Sequence, residues 1–155
     1  MIKTIRRKIK KAFRELLLYH HNSLEYRAKV LTLIVAVNRK ITPCEEKLLY
    51  QTACEIYDND EERSEILVEA VKEYFEKIIT NNGLDFEHLV FQVEKETREM
   101  RRYAQKIDIE ALKKFQACIE DEEDRIYQQR VIDYLARLKQ EYGSVSTHKK
   151  IKGVT

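Results

Sequence analysis

Apolar positions recur every three or four residues along most of the chain, the spacing that lays a stripe on an α-helix. Ile2, Ile5, Ile9, Phe13 and Leu16 make the first stripe and predict a helix from about Ile2 to Leu18. The polar break HHNS follows, and Asn22 with Glu25 has capping-box spacing. A second helix is expected from Ser23 to about Val37. Its last part, VLTLIVAV, is apolar nearly all round and marks the centre of a core, although its Val and Ile content keeps a buried strand in competition. Thr42-Pro43-Cys44-Glu45 is the clearest local signal: Thr caps, Pro suits the first helical position, and Glu reaches back to the cap amide. The third helix then runs to about Tyr57, with Leu48, Leu49, Thr52, Ala53 and Ile56 inward. The fourth, about Glu61 to Ile79, has the most regular stripe, and Gly83 in TNNG is free to take positive φ beyond it. Asp85 caps a fifth helix to about Gln105, lined by Leu89, Val90, Val93, Thr97, Met100 and Ala104. Asp108 caps a sixth, about Ile109 to Glu120. The seventh, about Asp124 to Tyr142, carries Ile126, Val131, Ile132, Tyr134, Leu135 and Leu138 and is stopped by Gly143.

The predicted fold class is all-α, a single compact bundle of about seven helices. Composition agrees: among 155 residues there are three Gly, one Pro and no Trp, too few turn residues for a sandwich, a barrel or a Gly-loop nucleotide fold. No apolar run approaches the ~20 residues that span a bilayer. The start MIKTIRRKIK has no apolar stretch of secretory type. Three Cys, an odd number without metal-ligand spacing, fit reduced thiols in a cytoplasmic protein. Three segments follow: a basic amphipathic helix at 1–18, a helical domain at 19–142, and a disordered basic tail at 143–155.

Charge changes the picture at one end. The net charge is +2, yet Lys3, Arg6, Arg7, Lys8, Lys10, Lys11 and Arg14 all fall in the first 14 residues, which hold no acid. The remainder keeps 22 basic and 27 acidic groups, a balance of −5. The arm reads foremost as a helix docking its stripe on the body, next as a surface for anionic lipid at the inner membrane face, and last as a nucleic-acid arm, since the body is acidic.

A weak internal repeat appears when the sequence is shifted by 83 positions: Asn38 then lies over Asp121, Glu45 over Gln128, Lys47 over Arg130, and Leu48-Leu49 over Val131-Ile132. Each copy reads as a helix, a polar loop and a second helix, so the bundle is built around two helix-hairpin half-repeats. The first copy, LTLIVAVNRKITPCEEKLL, resembles the signature of the TerB-like family, named for the tellurite-resistance protein TerB: an apolar helix ending in Asp-Gly, a loop of Glu-Ile-Ser-Pro type, and Glu residues opening the next helix. Ile41, Thr42, Pro43, Glu45 and Glu46 match in type and order, and CIEDEEDRIYQQRVIDYL supplies the second half-motif. The resemblance covers about residues 24 to 142 and implies an all-helical fold of about seven helices, consistent with the periodicity above.

The resemblance also implies that acidic residues of the two half-motifs bind a metal, with Asn38, Glu45, Asp121 and Gln128 as the candidate ligands here and Ca²⁺ or Mg²⁺ as the weakly held ion. Two of the four carboxylates survive, Glu45 and Asp121; Asn38 and Gln128 offer neutral amide oxygens. Arg39 stands at the family's Gly position and Lys40 at its loop Glu, so the loop is expected not to need positive φ at 39, and a competing expectation is that a Lys or Arg takes the metal's place by pairing with Glu45 or Asp121. The plainer roles are capping for Glu45 and a loop or cap position for Asp121. No cofactor is otherwise expected.

Other candidates are weaker. His20 and His21 point about 100° apart on a helix and make a poor chelating pair. His88 reads as surface. Cys44 in a first helical turn reads as mildly reactive, and Cys54 and Cys118 as small core residues. ACIEDEED lacks the alternation, Gly and terminal Glu of a calcium loop. With no nucleophile-base pair or phosphate loop, the expectation is a non-enzymatic interaction or scaffold module, stress-linked and membrane-proximal, with a protein partner or a second copy of itself. A divalent-metal sensor is the alternative, and a nucleic-acid binder using the arm comes after it.

Overall fold

The computed structural model describes residues 5–8, 22–81 and 83–154, with side chains of the last helix described as far as residue 143. Among these residues the secondary structure is helical, without strands. Six α-helices follow in order: α1 (Asn22–Val35), α2 (Pro43–Ile56), α3 (Glu61–Ile79), α4 (Phe86–Glu99), α5 (Ile109–Lys113) and α6 (Glu122–Val154). Short 3₁₀ segments at Ala36–Asn38, Arg101–Lys106 and Lys114–Cys118 join or extend them.

The apolar run of α1 is a helix, so the strand alternative falls. It packs against α3, α4, α6 and the 3₁₀ segment Arg101–Lys106. Being surrounded, it buries every residue from Val30 to Ala36. The single polar member, Thr32, donates its hydroxyl to the Ala28 carbonyl at 2.7 Å. Tyr26 is also fully buried; its hydroxyl meets Thr97 Oγ1 at 2.7 Å, and burial pushes the phenol up to about 12. Leu49, Leu67, Val71, Leu89, Val93, Phe115, Ile132 and Leu135 close the core around this helix.

Helix starts obey the expected capping chemistry. Thr42 and Glu45 form a capping box with Pro43 at the first position of α2, Asp60 accepts from the Arg63 amide, Asp85 from His88 and Asp108 from Ala111. Gly83 ends the α3 turn at φ 84°.

Four expectations need correction. The fifth helix does not reach Gln105: it ends at Glu99, Met100 leaves helical geometry at φ −127° and ψ 81°, and its side chain is exposed rather than inward. The sixth is split between α5 and the 3₁₀ segment Lys114–Cys118. Ile126, expected inward, is 51% exposed, whereas Gln128 two positions on is the buried residue of that stretch. Gly143 does not stop the last helix, which runs through it to Val154, where a stop and a disordered tail were expected. A Cβ there would stand 3.1 Å from Gln105 Nε2 and 3.7 Å from Ala104 Cβ, so Gly143 serves the close approach of α6 to the Arg101–Lys106 segment.

Candidate functional site

The chemistry singled out by the sequence gathers where α1 ends. Glu45, in the first turn of α2, is 0% exposed. Its Oε1 accepts from three donors: Asn38 Nδ2 at 3.0 Å, the Thr42 amide at 3.2 Å and Thr42 Oγ1 at 3.1 Å. Its other oxygen, Oε2, is buried without a partner, and so is Asn38 Oδ1. A buried carboxylate is costly unless donors or a cation neutralise it. Here the Asn38 amide supplies part of that neutralisation. The expectation that a Lys or Arg pairs with Glu45 or Asp121 is not met: Arg39 and Lys40 are both exposed and, among the described residues, in no ion pair.

Arg39 corrects a second expectation. It sits at φ 62° and ψ 11°, in the left-handed region that favours glycine, and its amide closes a turn on the Ala36 carbonyl at 3.3 Å. The loop requires that conformation although the residue there is Arg.

The second half-motif divides the same tasks. Gln128 on α6 is 0% exposed, and its Nε2 donates to the Ile34 carbonyl at 3.1 Å, one turn of chain before Asn38. Its Oε1 is buried and unpartnered. Asp121 is exposed; its Oδ1 accepts from the Glu123 amide at 2.8 Å and its carbonyl from the Arg125 amide at 3.0 Å, the geometry of a helix cap. Asn38, Glu45 and Gln128 therefore meet around the C-terminal end of α1, and Asp121 is not shown among their partners.

A covalent bond crosses the same region. Cys44, next to Glu45, is bonded to Cys118 in the segment before α6, with Cα atoms 5.6 Å apart. The expectation of three reduced thiols, with Cys44 a reactive one, is corrected; Cys54 is the free cysteine. No local signal announces a pair separated by 74 positions, and an odd Cys count pointed away from it.

The chain matches no known family model, curated protein or solved structure. What the site can do must be read from its own atoms. Three unpartnered oxygens, one from a carboxylate and two from amides, fall short of the six to eight oxygens, several charged, that hold Ca²⁺ (about that number). Among the described residues no group of three or more His, Cys, Asp or Glu side chains is placed to hold a metal ion. The set does not fit a tightly bound divalent ion. It fits a hydrogen-bonded joint between α1, α2 and α6, with room in its bonding for water or a weakly held cation.

The remaining sequence candidates are less informative. Ile5–Lys8 is helical, and Arg6, Arg7 and Lys8 are exposed; Lys3, Lys10, Lys11, Arg14, His20 and His21 lie outside the described residues. His88 is exposed, with Gln92 Nε2 3.1 Å from its Nε2. No helix of the described residues is long and apolar enough to cross a membrane.

Proposed function

We propose that this protein is a non-enzymatic helical interaction module of TerB-like type, in which an ion site has become a hydrogen-bonded joint. The observation that carries this reading is the Asn38–Glu45 contact. An amide stands where the family's pattern has Asp, and it donates to the one buried carboxylate that remains. The left-handed Arg39 supports the same reading, because it keeps the turn that a Gly would make without strain. Such a joint holds the halves together and leaves binding to the outer faces. One of these is an open groove of about 500 Å³ between α2 and α3, where Tyr50 is exposed and Lys72 pairs with Glu46 at 2.8 Å. The partner is a protein, a second copy included, and the basic arm is the membrane-proximal element. A cytoplasmic setting belongs to this reading, with the Cys44–Cys118 bond as the observation that stands against it.

The second reading, a divalent-metal sensor, has the three unpartnered oxygens in its favour. Calorimetric titration with Ca²⁺ and Mg²⁺, alongside a thermal melt, separates the two. The joint predicts no saturable heat and no shift in melting temperature. Saturable binding that raises the melting temperature and disappears in Gln128→Leu would sink the joint and make the protein a sensor.

A further inference from the structure

A second feature, independent of the joint, lies at the far side of α1. A cleft of about 190 Å³ opens between α1, α2, the Arg101–Lys106 segment and α5. Arg27 reaches it from α1 and Lys106 from the 3₁₀ segment, while Thr52 and Gln105 bring neutral hydrogen-bonding groups. Among the described residues neither cation has a carboxylate partner in an ion pair. Arg27 lies over the Tyr57 ring, 5.7 Å from its centroid. The Lys106 ammonium is held below its ordinary pKa, first by burial and then by the positive charges of Arg27 and Arg102. In the same segment Arg101 Nη1 is buried without an acceptor.

Like charges brought together in a half-buried cleft are unfavourable unless an anion offsets them. Two carboxylates share the wall, Glu55 and Asp108. Asp108 Oδ1 is already taken by the Ala111 amide at 3.1 Å, and Glu55 is exposed. Neither carboxylate is paired with Arg27 or Lys106, and the charges acting on Lys106 are the positive ones of Arg27 and Arg102, so that side of the cleft is positive while the two acids oppose a long polyanion. The space suits a compact oxyanion. A guanidinium gives it two parallel hydrogen bonds and an ammonium a point charge.

We propose that this cleft is a phosphate site, in which Arg27 and Lys106 hold a phosphate or phosphate-ester group and Thr52 and Gln105 complete its hydrogen bonding. Bound phosphate returns to Lys106 the counter-charge it lacks. The proposal is independent of the joint, so either can fail alone.

The test is calorimetric titration of the full chain with inorganic phosphate at low ionic strength, repeated with Arg27→Gln, Lys106→Gln and, as a charge-matched control, the exposed Lys77→Gln. Saturable binding is expected, weakened about tenfold by either cleft substitution, one charge-assisted contact, and unchanged in the control. Among the described residues Lys106 is in no ion pair, so Lys106→Gln leaves the test intact if Arg27→Gln fails to fold. A parallel co-sedimentation with phosphatidylglycerol vesicles identifies the source. Binding of free phosphate points to a soluble ligand, and Lys106-dependent binding of vesicles alone points to a lipid headgroup. If neither probe binds in a Lys106-dependent way, the proposal is overturned.

Discussion

The two half-motifs treat the same problem differently. In the first, one residue does two jobs: Glu45 closes the capping box of α2 and is also the buried carboxylate at the end of α1. In the second the jobs are split: Asp121 caps α6 from the surface, and Gln128, seven positions on, is buried without a charge. The shift that superposes the halves places Glu45 over Gln128, and both are wholly buried. It also places Asn38 over Asp121, which differ, one bonded to Glu45 and the other facing solvent. The paired helix positions are alike in burial, which packing enforces, and the paired loop positions are not.

The largest effect that can break this comparison is covalent. Reducing the Cys44–Cys118 bond, or replacing Cys118 with Ser, is expected to lower stability by about 4 kcal/mol, from the entropy of a long closed loop; denaturant melts with and without reductant measure it. Glu45→Ala removes a cap and a buried hydrogen-bond centre together and is expected to cost about 3 kcal/mol. Gln128→Ala leaves the Ile34 carbonyl unpaired and a small void, for about 2 kcal/mol. Asp121→Ala removes a surface cap only, about 1 kcal/mol. If Asp121→Ala proved as damaging as Glu45→Ala, capping and burial would not be divided between Asp121 and Gln128. The smallest effect has the opposite sign. Arg39→Gly relieves a left-handed residue and is expected to stabilise by about 0.5 kcal/mol, the relief being partly offset by the entropy of Gly.

Much of the fold was legible because burial and capping are local. The stripe of α3 and the Thr42-Pro43-Cys44-Glu45 start of α2 needed no distant information. The breaks at Met100 and Lys114 were not legible, since neither Gly nor Pro marks them; the chain leaves the α-helix there within otherwise good helix formers. Of the site, the sequence singles out Asn38, Glu45 and Gln128 as metal ligands, whereas the structure bonds Asn38 to Glu45 and Gln128 to the Ile34 carbonyl. The position of Asp121 could not, because a cap and a ligand use the same residue type at the same helix end. The conformation of Arg39 was hidden for a related reason: a non-glycine residue carries no sign of positive φ, and it is the neighbouring turn that imposes it. The proposed phosphate cleft draws on Arg27 and Lys106, far apart in the sequence, and no spacing rule joins them.

The bond between Cys44 and Cys118 also has a mechanical consequence. It makes a closed ring of the chain that holds α2, α3, α4 and α5, and leaves α1 and α6 as the two strands leading out of it. A force applied to the two termini passes through the sulfurs and bypasses everything between them. Stretching would peel away the outer helices and stop, and the chain between the two cysteines, 74 positions apart and about 250 Å when extended, would be released only after reduction.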